Sequence, residues 1–488
     1  MYLRKNFISI FILLILIYLT LFLHLTTQPV RIWDESRQAF NAYEMSESGD
    51  LLIKQYEHQP DLWNLKPPLL TWIQSGLMKI FGPYELSLRL PSAIAGLLTV
   101  LSLFIFLWKY FKRFWLGWIA ALVTVTARQF VDYHGLRNGD YDALLVFFSL
   151  FYVLSFYVFL EDGKWKYFYF CVAGIILATM TKGIAGMFFL PALIIASVYY
   201  KKLKTIFSSH QFYYGVASFV IVIGGYYFLR EQRLPGYLKA VMDNEWGGRF
   251  LNTLEQHTGS FWVYIENICT DIFSKFYLLI PCGFAIGMLD REKKFQRFTA
   301  YIAVAAVSAW LVLSASQTKL IWYIYPVIPF LSILIAIFIY FVFNQIKRLE
   351  VATEIRHSVL PFVFLLLVFW APYSEMFNVV YKAHEWHTGK NYYSMSYYLR
   401  GMAKGDIKPE RNVTIVFEDY SYHLDYYMML INRKGQRVSK KPKEDLQPGD
   451  FVMCSYPEID NYIQQHYETQ PVEQTQYLNS YIINSRKF

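Results

Sequence analysis

Asp34 and Glu35 stand side by side in the run Arg31-Ile-Trp-Asp-Glu-Ser-Arg-Gln-Ala-Phe40, and Lys66 follows in Lys66-Pro-Pro-Leu-Leu-Thr-Trp72. A carboxylate at a membrane mouth can take a proton from an attacking hydroxyl or amine. A lysine aimed by two prolines can hold a phosphate. Each motif has a plainer use as well. Asp34 or Ser36 can cap the helix that continues through Arg37, Ala39 and Phe40, and Lys66 can snorkel to an interface. A second charged cluster, Arg137-Asn-Gly-Asp140-Tyr-Asp142, opens an apolar segment. Arginine and carboxylates at such a mouth are costly unless paired or functional. An internal Arg–Asp pair is the bland alternative, and two carboxylates alone predict a metal poorly. Lys182-Gly183 lies between two apolar segments, and Lys319 is followed by Tyr323, Pro326 and Pro329. Either lysine can also simply end a span. Arg249, His257 and Tyr264 lie in a long polar loop, where a lone histidine is more often surface than ligand.

These groups hang on an apolar frame. The chain of 488 residues is 55% hydrophobic and only 17% charged, against about a quarter charged in soluble domains. Apolar runs near twenty residues long recur, as in a multi-span membrane protein. Spans are predicted near 7–25, 87–107, 114–130, 142–160, 167–181, 184–200, 212–229, 271–289, 298–315, 320–343 and 358–372. The predicted fold is a polytopic α-helical membrane protein of about eleven transmembrane helices, counted to within about two. The run Phe7–Leu25 is too long for a signal-peptide core and lacks a cleavage site, so it reads as a retained first span. The segment 68–81 is too short to span and reads as an interfacial or re-entrant helix. Four cysteines show no metal-ligand spacing and no disulfide framework.

With the N-terminus inside, the cytoplasmic loops hold Lys109, Lys112 and Arg113; Lys164 and Lys166; Lys201, Lys202 and Lys204; Arg291, Lys293, Lys294 and Arg297; and Lys347, Arg348 and Arg356. Each is short and basic, as the positive-inside rule requires. That distribution absorbs much of the net charge of +9 without a nucleic-acid partner. Asp34, Glu35, Lys66, Arg137, Asp140, Asp142, Lys182, the segment 230–268 and Lys319 then all fall on the outer face. The domains expected are a transmembrane catalytic part, 1–375, with outer loops 26–86 and 230–268, and a soluble extracytoplasmic α/β domain, 380–488. In the latter, Val413–Glu418, Asp450–Ser455 and Tyr481–Asn484 read as strands, with a helix near 421–431.

Taken in series, the motifs resemble a known family. Trp33-Asp34-Glu35-Ser-Arg37-Gln-Ala39, Glu44-Met45-x-x-Ser48-Gly49-Asp50, Lys66-Pro67-Pro68-Leu69-x-x-Trp72 and Phe81-Gly82-x-x-Glu85-x-x-x-Arg89-Leu90-Pro91-Ser92 look like the first half of lipid A aminoarabinose transferases. These are similar to protein O-mannosyltransferases and belong to the C-type (GT-C) glycosyltransferases. Thr181-Lys182-Gly183 and Lys319-x-x-x-Tyr323-x-x-Pro326-x-x-Pro329 match in order, so the resemblance runs from about residue 33 to 330.

The resemblance implies inverting transfer of a sugar from a polyprenyl-phosphate carrier at the outer leaflet of the inner (plasma) membrane. It makes Asp34 the acceptor-activating base and matches Asp142 to a second family acid better than Asp140. Lys66, Arg249 and Lys319 would hold the donor phosphate. Glu35 and Asp140 are accompanying catalytic candidates, and Arg137, Lys182 and Tyr323 complete the substrate-binding set. Some relatives carry an acidic residue before the Lys-Pro-Pro lysine, associated with a bound metal. Leu65 stands there in this chain, which leaves His257 as the candidate ligand for a divalent ion. The partners implied are the lipid-linked donor, a lipid or protein acceptor, and membrane lipids. A lipid-linked-sugar flippase would share a basic phosphate grip, but it should carry charge through the membrane depth and on both faces. A scaffold displaying the C-terminal domain leaves Asp34 and Lys66 unexplained.

Overall fold

The computed structural model describes residues 2–248, 257–352, 359–381, 387–408, 411–474 and 477–487. Every predicted span coincides with an apolar helix. Among the described residues seven helices are long and apolar enough to cross a membrane: Glu85–Lys109, Asp142–Asp162, Trp165–Met187, His210–Arg233, Lys293–Ala315, Ile321–Glu350 and Leu360–Tyr381. Asn6–Leu21, Phe114–Val125, Leu190–Tyr199 and Leu279–Met288 are apolar but shorter. The protein is a polytopic helical membrane protein with a small mixed-sheet domain at its C-terminal end. The segment read as too short to span is the 13-residue helix Leu69–Phe81.

Two predicted boundaries move for identifiable reasons. The segment 114–130 breaks after Val125 and resumes as Arg128–Asp132. Thr124 and Thr126 donate their hydroxyls back to the carbonyls of Ala120 and Leu122, at 2.8 and 3.0 Å, and such back-bonding bends or ends helices. The segment 271–289 leaves the short helix Ile268–Ile272 at once and becomes helical again only at Leu279. Pro281 clashes with a helical carbonyl four residues earlier and is tolerated only in a first turn.

The chain forms two compact units: Met1–Leu25 with Glu44–Tyr381, and Thr26–Tyr43 with Lys382–Phe488. At the heart of the first lies Asp142–Asp162, whose apolar window is 83% buried. Gly163, in the left-handed conformation at φ 71°, caps this helix and turns the chain into Trp165–Lys182. The two helices run antiparallel and very close. A Cβ on Gly174 would lie 2.7 Å from the Cβ of Tyr152. The hairpin therefore brings the end of the second helix, Lys182, back to the start of the first, Asp142. The loop ahead of Lys66 is ordered by a small hairpin, β1 (Gln55–Tyr56) and β2 (Gln59–Pro60). The Glu44 carboxylate holds its turn by accepting the His58 N–H at 3.0 Å.

The second unit is a five-stranded sheet flanked by helices. Its strands are β3 (Val413–Ile415), β4 (Val438–Lys440), β5 (Phe451–Cys454), β6 (Tyr467–Gln474) and β7 (Asn479–Arg486), in the order β4-β3-β5-β7-β6. β3 is parallel to both β4 and β5, while β5, β7 and β6 pair antiparallel. The helix Tyr422–Arg433 connects β3 to β4, where a helix was expected. The short β4, the bulged β6 and the helices His387–Lys404 and Pro457–His466 were not foreseen. The residues Thr26–Tyr43, expected in the transmembrane part, belong to this unit. Val30 N–H donates to Tyr427 Oη (2.8 Å), Arg400 to Thr27 O (2.8 Å) and Arg433 to Tyr43 Oη (2.9 Å).

Gly283 on Leu279–Met288 meets the helix beginning at Ile328 so closely that an added Cβ would lie 1.8 Å from Leu334 O. Small residues allow such backbone contact between membrane helices. Gly283→Ala should lower stability by about 1–3 kcal/mol. Gly225→Ala, with nothing near its added Cβ, should leave the melting temperature of the detergent-purified protein unchanged or slightly higher.

Candidate functional site

The helical hairpin places a charged pair where the chain leaves its apolar frame. Lys182 Nζ donates to both carboxylate oxygens of Asp142, at 2.7 Å each. Asp142 is fully buried and Lys182 is 8% exposed. Both line a cavity of about 230 Å3. Its polar lining also includes Lys66, Glu245, Ser316, Thr318 and Tyr323, while Ile184, Met187, Phe188, Pro191 and Leu313 make an apolar wall. Lys182 Nζ lies 5.0 Å from the centroid of the Tyr323 ring. Lys66 is half-buried, its ammonium 5.3 Å from the ring centroid of Tyr141. Lys66, Asp142, Lys182 and Tyr323, predicted from separate motifs, thus share one cavity.

Lys66 is positioned by residues the sequence did not single out. Lys54, 2% exposed, donates Nζ to the Lys66 carbonyl at 2.7 Å and to Tyr141 Oη at 3.4 Å. Tyr141 also exchanges hydrogen bonds with Asn64. Burial holds the Lys54 ammonium well below the usual lysine range, and the nearby Lys66 and Arg230 cations add to that against the opposing charge of Asp61. Arg230 is 1% exposed and packs 4.7 Å from the ring centroid of Tyr237. Neither Lys54 nor Arg230 stands in a recognisable motif, and burial, their distinguishing property, is not written in spacing.

Asp140 has a partner of its own. His134 Nδ1 lies 2.6 Å from its Oδ2, and the Tyr141 N–H donates to Oδ1 at 2.6 Å. His134 is stacked flat on Trp322, with centroids 4.0 Å apart. Burial would raise the Asp140 carboxyl, but the His134 hydrogen bond and charge, the Lys182 charge and the Tyr141 N–H outweigh it and lower it to about 2.

Other candidates are placed elsewhere. Arg137 donates to the carbonyls of Thr20 (3.0 Å), in the last turn of the first helix, and Leu23 (2.8 Å), just past it, where a cation meets the negative end of the helix dipole. It is absent from the cavity lining, and both of these bonds go to backbone carbonyls. Burial and the nearby Arg89 lower its guanidinium to about 10. Lys319 bonds the Ser316 carbonyl through Nζ, beside the cavity but outside its lining. Arg249 lies outside the described residues. Asp34 and Glu35 belong to the other compact unit. Asp34 is the exposed first residue of the helix Asp34–Ser48, whereas Glu35 is buried and accepts the Arg31 N–H at 2.8 Å.

The metal implied by some relatives does not fit the residues at the position before Lys66. Leu65 is 1% exposed and packs in an apolar cluster with Met180, Ile223, Tyr226 and Tyr237. Its carbonyl accepts the Tyr237 hydroxyl at 2.7 Å. His257 is exposed, and its carbonyl accepts the Lys319 N–H at 3.0 Å. Among the described residues it joins no group of three or more His, Cys, Asp or Glu side chains close enough to share an ion.

The architecture is a many-spanned helical frame, a cavity lined by charged and apolar residues, and a small C-terminal sheet domain. Over residues 65–227 the chain matches the family described as dolichyl-phosphate-mannose-protein mannosyltransferase. Its fold is similar to that of ArnT from Cupriavidus metallidurans bound to undecaprenyl phosphate, with a TM-score of 0.71, 17% identity and coverage of 99% of this chain and 98% of that one. The oligosaccharyltransferase of Archaeoglobus fulgidus is a more distant likeness, with a TM-score of 0.52, 13% identity and coverage of 98% and 74%. An uncharacterized protein of Aquifex aeolicus (strain VF5) is 27% identical over 345 residues, 69% of this chain. The alignment spans 64% of the length of that relative. The family match covers residues 65–227, and the likeness to ArnT extends over the whole fold.

Two outcomes follow from these pairings. Lys182→Met leaves a buried carboxylate unpaired and should cost about 3–5 kcal/mol, whereas Lys182→Met with Asp142→Leu should recover most of it. Thermal unfolding of the purified variants reads both. Asp140 is held ionised in the fold, so its contribution is complete above the ordinary carboxyl value of 3.8 and is lost as pH falls through about 2. Asp140→Asn should lower stability by about 2 kcal/mol near neutral pH and flatten the melting-temperature profile between pH 4 and 2.

Proposed function

We propose that the protein is an integral-membrane glycosyltransferase. It moves a sugar from a polyprenyl-phosphate carrier to a lipid A-like or other envelope glycolipid, with inversion, on the extracytoplasmic side of the plasma membrane. The observation that carries this reading is the cavity whose cationic residues adjoin an apolar wall. A phosphate on an isoprenoid chain has that same division of character. The undecaprenyl phosphate bound by the similarly folded ArnT supports the carrier class.

In the proposed reaction Lys66 grips the donor phosphate, with Tyr323 beside it. Lys182, already neutralised by Asp142, contributes shape and hydrogen bonds more than charge. An acceptor hydroxyl or amine attacks the anomeric carbon, the bond from that carbon to the phosphate oxygen breaks, and its electron pair leaves with the polyprenyl phosphate. The acceptor proton passes to Asp34. Positive charge fixed where the leaving phosphate gains charge is worth more in the transition state than in the ground state. A protein hydroxyl is the second reading of the acceptor, favoured by the protein-mannosyltransferase description of residues 65–227.

Asp34→Asn should abolish transfer while membrane insertion and melting temperature stay near wild type. Cells lacking the gene should lose one sugar-sized mass from a glycolipid, restored by the wild type and not by Asp34→Asn. Equal restoration by both proteins would discard Asp34 as the base. Lys66→Ala should raise the donor KM by about tenfold or more, the loss of one charge-assisted contact, with little effect on the acceptor KM. An unchanged donor KM would remove Lys66 from the phosphate site.

A further inference from the structure

The compact unit formed by Thr26–Tyr43 and Lys382–Phe488 carries a column of rings next to Asp34. The Trp33 indole is stacked on Tyr420, with centroids 4.0 Å apart and planes 18° apart. Tyr420 in turn lies 4.3 Å from Tyr422, and the Arg37 guanidinium is 5.7 Å from the Tyr422 centroid. The Tyr420 phenol also feels Asp34, Arg37 and Ser36 directly. Two chain segments nearly four hundred residues apart thus meet to build one stack.

Trp33 ends this column. Tyr420 covers one face of the indole, yet Trp33 remains 58% exposed. Its backbone is in the left-handed region, at φ 70°, which a bulky aromatic residue rarely adopts unless its surroundings hold it there. Its neighbours Glu35 and Ser36 are buried at 3% and 0%, while Asp34 and the indole stay exposed. The stack fixes that indole, so a ligand meeting it loses little protein freedom on binding.

A rigid aromatic face with the exposed Asp34 carboxylate next to it in the chain suits a sugar ring. The C–H face of a pyranose lies against the π-system, and its hydroxyls reach the carboxylate. Resting on the transferase reading above, we propose that the open face of Trp33, backed by Tyr420 and Tyr422, is the subsite for a sugar ring of the acceptor. The acceptor is then a glycan or glycolipid, and the C-terminal residues help choose it. The ring is assigned to the acceptor because Asp34, the base proposed to take the acceptor's proton, directly follows Trp33 in this same compact unit. Trp33 is the binding residue, and Tyr420, Tyr422 and Arg37 position it.

The test uses the full chain in nanodiscs, with methyl glycosides of glucose, galactose, mannose and glucosamine as probes in saturation-transfer NMR. At least one glycoside should receive saturation on the protons of one ring face. Trp33→Ala and Tyr420→Ala should weaken that binding by about tenfold, the scale of one lost aromatic stack, while Trp33→Phe keeps most of it. Binding of undecaprenyl phosphate should be unchanged in all three variants. No glycoside binding by the wild type, or equal binding by Trp33→Ala, overturns the proposal. Loss of undecaprenyl phosphate binding in Trp33→Ala and Trp33→Phe alike makes Trp33 a folding element and also overturns it. In a transfer assay with envelope glycolipids, Trp33→Ala should raise the acceptor KM and leave the donor KM. A rise in donor KM alone assigns the face to the donor sugar and overturns the acceptor assignment. Glycoside binding without any transfer from polyprenyl-phosphate sugars would instead defeat the transferase reading and leave the sugar subsite standing.

Discussion

The buried pair between Asp142 and Lys182 is the constraint on which the first compact unit turns. Neither charge is tolerable alone in an apolar surround, so the two helices that carry them must end at the same level. Gly163 makes the turn, and Gly174 lets the helices touch. Twenty-one residues descend before the turn and eighteen return after it. At about 1.5 Å per residue the mismatch is roughly 4–5 Å, a gap that a lysine side chain spans. The pair is thus both a lock on the hairpin and the floor of the cavity.

That double use limits what the cavity's charges can do. Lys182 spends its charge on Asp142, and Glu245 brings further negative charge to the lining. Among the described lining residues Lys66 is the cation besides Lys182, and its carbonyl accepts the Lys54 ammonium. Burial depresses Lys54, so it steadies the Lys66 carbonyl at less electrostatic cost than a second full charge would bring. The lining charges balance, with Lys182 against Asp142 and Lys66 against Glu245.

Much of the frame was legible in the sequence. Apolar run length and basic loops gave eleven segments that all appear as helices, because a span is a local property. Lys66, Asp142, Lys182 and Tyr323 were legible as candidates because ionisable groups beside apolar segments are expensive. That they share one cavity was not. Arg137 has the same sequence signature, yet it bonds carbonyls at the end of the first helix. Lys54 and Arg230 carry no motif and are buried all the same. The segment 26–43 read as an ordinary first loop because its partners, Tyr427 and Arg433, come almost four hundred residues later. Such a contact leaves no periodicity to read.

Leu65 ties these points together. Where some relatives hold an acid associated with a metal, this chain buries a leucine among Met180, Ile223, Tyr226 and Tyr237. A metal ligand there would need a charged side chain in that apolar cluster. The same cluster steadies the residue before Lys66, and the Tyr237 hydroxyl on the Leu65 carbonyl fixes the peptide that leads into it. Hydrophobic packing and one hydrogen bond can therefore orient the Lys66 loop with no ion at this position. Packing of that kind is insensitive to metal supply and chelators. In the proposed enzyme, the grip on the donor phosphate would then depend on how well the Leu65 cluster is packed.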